Sequence, residues 1–93
     1  FFSKLINETI KNKKELEKKL ENAVSKKNFS KMEIIIKVIL KLGACEIIFF
    51  KNVSHKISIA EYNKVGSSFL NDNEVGLINA ILDKISKKEF VNG

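Results

Sequence analysis

The chain contains no proline and only four glycines, at 43, 66, 76 and 93. Residues that break helices are therefore scarce, which argues against a turn-rich sheet architecture and for long helices. It also lacks arginine: all seventeen basic residues are lysine. That removes the forked, bidentate donors suited to guanine edges and phosphates. A single cysteine, Cys45, excludes an internal disulfide framework and fits a reducing compartment. With His55 as the sole histidine, no histidine–cysteine metal cluster can form within one chain. No glycine-rich phosphate loop follows a strand pattern, and no aromatic pair has the spacing of an RNA-binding sheet. The most apolar stretch, residues 34–50, is broken by Lys37, Lys41 and Glu46, a charge density that argues against a membrane-spanning helix. What is left is a binding module rather than an enzyme, with no cofactor and no metal implied.

What is present suits one small domain, expected over residues 1–93. The chain is 44% hydrophobic, enough for a core, and 30% charged. Its net charge of +6 is uneven: residues 1–51 hold twelve lysines and six acids, whereas residues 52–93 hold five of each. A basic half fits a polyanionic partner such as RNA. A lysine-biased solvated surface gives the same composition, and charge alone leaves both readings open. The chain opens on Phe1-Phe2, already inside a helical pattern and without methionine, so a preceding segment is expected to be missing.

The periodicity predicts an all-α bundle with helices over about 2–25, 31–50, 56–69 and 72–88. Phe2, Leu5, Ile6 and Ile10 start an apolar stripe that Leu16, Leu20 and Val24 resume. Residues 26–29 read as a connector, and Ser30 with Glu33 as a capping box. The second helix is apolar on nearly every face, so burial on every face is expected. Glu33, Lys37 and Lys41 form its one polar stripe, and Glu46 falls about 180° from Lys37 at 100° per residue. Glu46 therefore points into the apolar side, where a carboxylate needs donors; backbone N–H groups at a neighbouring helix start are the simplest source. A general acid or base would need a second catalytic group beside it, and none is patterned there. Cys45 reads as a small core residue, and His55, beside a helix start, as exposed and structural. Asn71 and Glu74 pattern as a second capping box, ahead of a core stripe of Val75, Ile78, Ile81, Leu82 and Ile85. Lys84, Lys87 and Lys88 fall where they complement the dipole of that helix. Phe69 could serve as core or as a platform for an unstacked base, and the pattern alone favours core.

Three blocks carry a family resemblance. They are Leu42-Gly43-Ala44-Cys45-Glu46-Ile47-Ile48-Phe49-Phe50, Val53-Ser54-His55-Lys56-Ile57-Ser58-Ile59-Ala60-Glu61-Tyr62, and Asn73-Glu74-Val75-Gly76-Leu77-Ile78-Asn79-Ala80-Ile81-Leu82-Asp83-Lys84-Ile85. In order and spacing they resemble the C-terminal two-thirds of the NusB family, in its α-proteobacterial form. Glu46, Lys56, Glu61, Asn79, Leu82, Asp83 and Lys84 keep the family pattern.

The resemblance implies a NusB-type helical bundle whose N-terminal helices are missing, and these would cover the all-round apolar helix. It further implies a cytoplasmic, bacterial, RNA-binding role in transcription antitermination on boxA-type RNA. The partner would be a small-subunit ribosomal protein acting as NusE, with other Nus factors and RNA polymerase engaged indirectly. Some family members dimerise, so a homodimer is possible.

By family position, the RNA contacts are Lys37, Lys56, Phe69 and Asn73, with Gly76 and Leu77 adjacent. Glu46, Glu61 and Asn79 are assigned to structure, Glu46 and Asn79 as buried polar groups satisfied at helix ends. Departures from the pattern are Ser54 for the usual proline, Ala60 for asparagine, Leu77 for phenylalanine, Gly76 where some members carry lysine, and Ile36 where some offer an acid to the ribosomal partner. Two other readings remain: a NusB-like domain of a ribosomal RNA cytosine methyltransferase, and a helical bundle with a purely structural role.

Overall fold

A computed structural model describes residues 1–92, with side chains through residue 89. Among the described residues all regular structure is helical: α1 (Phe2–Lys11), α2 (Lys13–Val24), α3 (Lys26–Lys31), α4 (Ile34–Phe49), α5 (His55–Ser67) and α6 (Asp72–Asn92). No helix among them is long and apolar enough to cross a membrane.

The helix expected over residues 2–25 is two helices. The break falls at Asn12, whose Nδ2 donates to the Glu8 carbonyl at 2.8 Å and to Glu8 Oε2 at 3.0 Å. A short amide side chain that bonds the preceding turn competes with the backbone ladder. Beyond the break Leu16 and Leu20 are fully buried, but before it only Leu5 is, while Phe2 and Ile10 are 69% and 70% exposed.

The residues expected to connect the first two helices are themselves the short helix α3. Ser25 caps it, its Oγ accepting from Asn28 N at 3.1 Å. Ser30 does not cap α4. Its hydroxyl donates to the Lys27 carbonyl, and Glu33 is the N-cap without a side-chain cap bond. The extra turn of α3 thus moves the start of α4 to Ile34 and dissolves the expected Ser30–Glu33 box.

Ser25 holds φ 116° and ψ 150° and is the one described non-glycine residue at positive φ. That region costs a side-chain-bearing residue about 1–3 kcal/mol. Ser25→Gly removes the strain, loses only a few tenths of a kcal/mol as a cap, and spends about 0.5–1 kcal/mol in chain entropy. We expect Ser25→Gly to raise the unfolding free energy by about 0.5–1 kcal/mol, read as a higher urea midpoint at unchanged m-value. A lower midpoint would show that the cap outweighs the strain.

Helix α4 is the axis of the bundle, packing against α1, α2, α5 and α6. Every residue from Gly43 to Ile48 is buried. Burial on every face holds only for that half, because Ile34, Ile35 and Val38 are 79%, 39% and 44% exposed. The core continues through Ile78, Ile81, Leu82 and Ile85 of α6, as the stripe predicts.

Helix α6 runs to Asn92 rather than stopping near residue 88. Its lysines therefore lie short of the terminal turn and take other partners. Lys84 Nζ donates to the Ala23 carbonyl at 2.8 Å, satisfying the open end of α2, and Lys87 pairs with Asp83 at 3.1 Å. Lys19 of α2 meets Glu89 at 2.9 Å, a second tie between α2 and α6.

Candidate nucleic-acid interface

The turn between α5 and α6 is organised by one carbonyl. Gly66 O accepts from Phe69 N at 3.0 Å and from Leu70 N at 2.8 Å. The tight reversal sends Leu70 inward, packed against the core, and Phe69 outward, 68% exposed. Phe69 is therefore not a core residue, contrary to the reading its pattern favours. An exposed aromatic ring on a rigid corner is a stacking surface of the kind single-stranded nucleic acids use.

Directly after it, the capping box expected at the start of α6 is present in both directions. Glu74 N donates to Asn71 Oδ1 at 2.9 Å, and Asn71 N donates to Glu74 Oε1 at 3.0 Å. This reciprocal cap fixes where α6 begins, and so which residues share a face. Asn73, Gly76 and Leu77, at i, i+3 and i+4, lie on one side of the helix and are all exposed.

A Cβ built on Gly76 would meet nothing within 4 Å. Neither a turn nor internal packing requires glycine at this mid-helix position. Gly76→Ala is expected to stabilise the fold by about 0.5–1 kcal/mol, the usual helical preference for alanine. If RNA lies against this face, the same substitution weakens RNA binding while raising the melting temperature. Stability and affinity moving together would argue against close approach there.

Leu77 also lines an open groove of about 500 Å³ with Val24, Asn28, Lys31 and Met32. The groove has an apolar floor with a lysine and an amide at its rim. Of these residues only Leu77 is among the contacts assigned from the sequence. The others come from α2, α3 and the Met32 that caps α3, and only the fold places them beside α6.

The remaining expected contacts sit elsewhere. Lys37 donates to the Ser30 carbonyl at 3.1 Å, and its ammonium lies 5.7 Å from the centre of the Phe29 ring, so its charge is engaged with α3. Lys56 is exposed in the first turn of α5, whereas Phe69 follows the last. The rise from Lys56 to Ser67 is about 17 Å at 1.5 Å per residue. The six sequence-assigned residues therefore do not form one patch.

Of the three structural polar residues, Glu46 is 3% exposed, as its position on the wheel requires. Tyr62 of α5 is the polar group that its charge acts on: burial, then the Glu46 carboxylate, push the Tyr62 phenol well above its usual pKa. Asn79 is exposed and mid-helix, not buried, and its Oδ1 accepts from Asn63 Nδ2 at 2.8 Å. It follows Ile78 by one residue, about 100° off the core stripe. Glu61 is likewise exposed, one residue before the buried Tyr62.

Ile36, one of the departures from the pattern that the resemblance implies, is 5% exposed. Cys45 is fully buried, and burial raises its thiol pKa. Such a thiol is a poor nucleophile.

Residues 1–87 match the NusB family. The transcription antitermination protein NusB of Rickettsia bellii (strain OSU 85-389) is 40% identical over 63 residues, 68% of this chain and 40% of that protein. The NusB proteins of Rickettsia massiliae (strain Mtu5) and Rickettsia africae (strain ESF-5) are each 30% identical. They cover 94% and 96% of this chain, and the match covers 56% and 58% of their own lengths. The chain thus spans about half the length of the curated relatives it matches. No solved structure matches it at a significant level.

Proposed function

The chain belongs to the NusB family, and on that premise we propose that it is the RNA-binding body of a transcription antitermination factor. It acts on boxA-type RNA together with a small-subunit ribosomal protein, with other Nus factors and RNA polymerase engaged through that complex. The observation that carries the reading is the corner between α5 and α6, where the exposed Phe69 ring leads into the open Asn73–Gly76–Leu77 face. A base stacks on the ring, and Asn73 and the shallow helix face receive the adjoining nucleotide. Lysines supply the sequence-independent share of the binding energy, since the chain has no arginine.

Fluorescence anisotropy with a labelled boxA-type single strand, with and without the ribosomal protein, tests this. The expected result is binding that weakens with salt and tightens when the ribosomal protein is added. If neither ligand changes the binding of the other and the protein's thermal stability stays the same with both, the antitermination reading fails.

A further inference from the structure

At the far end of α5 from Phe69, three lysines from three segments surround one open groove. Lys51 comes from the connector after α4, Lys56 from the first turn of α5, and Lys87 from α6; with His55 and Ser86 they line about 680 Å³. The groove has a fixed frame, because His55 Nδ1 and Ser86 Oγ lie 2.7 Å apart and join the start of α5 to α6. The N-cap residue Ser54 makes no side-chain cap bond, so the first-turn N–H groups of α5 have no side-chain acceptor. Lys87 pairs with the exposed Asp83 at 3.1 Å, and the lining itself, among the described residues, carries three lysines and no carboxylate, so the groove is positively charged. Lysines at this density, without arginine, hold a phosphate by charge and without reading sequence.

We propose that this groove is a second phosphate-binding station for single-stranded RNA, extending the footprint from the Phe69 corner along α5 to its N-terminal end. The proposal rests on the RNA-binding reading above. Lys64, exposed on α5 between the two ends, lies along the route. A strand whose bases are held at the corner would run its backbone down this helix and meet Lys56, Lys51 and Lys87 there. Lys56 then acts as part of this station and not as a neighbour of Phe69.

The test compares the wild-type protein with the double variant Lys51→Gln/Lys87→Gln. Both would be titrated with fluorescently labelled RNA strands of roughly 6 and roughly 16 nucleotides, the short one enough for the corner alone. Each lost phosphate contact lowers the slope of log affinity against log salt by about 0.7 on a single strand. The expected result is a slope about 1.4 shallower for the long strand, so that its loss of affinity between about 50 and about 200 mM salt becomes roughly sevenfold smaller. The short strand should bind the variant as it binds the wild type.

The substituted side chains are exposed, so an unchanged melting temperature confirms that the variant is folded. An unchanged slope for the long strand would overturn the station while leaving the corner intact. Wild-type protein that binds neither strand would overturn the RNA reading as a whole. Loss of polyglutamate binding with RNA binding unaltered would assign the groove to an acidic protein segment and overturn RNA as its occupant.

Discussion

Leu82→Ala is expected to lower the unfolding free energy by about 2–5 kcal/mol, the range for deleting a buried leucine side chain. Leu82 is fully buried on α6, and its two methyl groups lie 2.9 and 3.0 Å from where a Cβ on Gly43 would stand. Gly43 is thus the notch that lets α4 and α6 close on each other, and Leu82 is the side chain that fills it. Gly43→Ala alone forces Leu82 aside, and overpacking of this kind costs about 1–3 kcal/mol. The gain in helix propensity, about 1 kcal/mol, offsets part of that.

The double variant Gly43→Ala/Leu82→Ala is the discriminating measurement. With Leu82 shortened, the methyl group introduced in place of Gly43 enters the vacated space, so the combined loss should fall short of the sum by about 0.5–3 kcal/mol. Urea unfolding followed by circular dichroism reads all three variants, and each kcal/mol moves the melting temperature of a domain this size by roughly 4–8 °C. Strictly additive losses would mean that α4 and α6 do not meet through this pair.

Phe69→Ala carries the second large effect, on binding rather than stability. Base–aromatic stacking contributes about 1–3 kcal/mol per base, so RNA affinity should fall roughly 5- to 150-fold. Because the ring is 68% exposed and Leu70 does the packing, stability should change by less than about 0.5 kcal/mol. Phe69→Tyr or Phe69→Trp keeps a ring to stack on and should retain most of the affinity. The salt slope should also be unaffected, because no phosphate contact is removed. A large loss of stability with no loss of affinity would return Phe69 to the core and leave the corner without its platform.

The amino-acid pattern was most legible where one helix wheel settles the question. An all-helical architecture follows from the near absence of breakers and the period of the apolar residues. The Asn71–Glu74 box and the stripe of Ile78, Ile81, Leu82 and Ile85 involve only neighbours in the chain, and both are present. Glu46 and Cys45 are buried for the same reason, since their place on an apolar helix decides which way they face.

Questions that depend on a second element were not legible in this way. Apolar periodicity also does not register the break at Asn12, made by local side-chain bonding, or the short helix α3 that the strained Ser25 caps, although the first helical stretch does end at Val24, close to the expected residue 25. Whether Phe69 or Leu70 turns inward depends on the direction of the reversal at Gly66, a backbone geometry with no signature in residue type. Lys84, which looks like a dipole complement on an isolated helix, finds its partner in the Ala23 carbonyl of α2 once the helices are packed. By itself, then, the sequence determined that this is an α-helical, lysine-rich chain of the NusB type with a buried Glu46. Only the tertiary structure decided which lysines stand together and which aromatic faces solvent, because both depend on how separate helices are brought side by side.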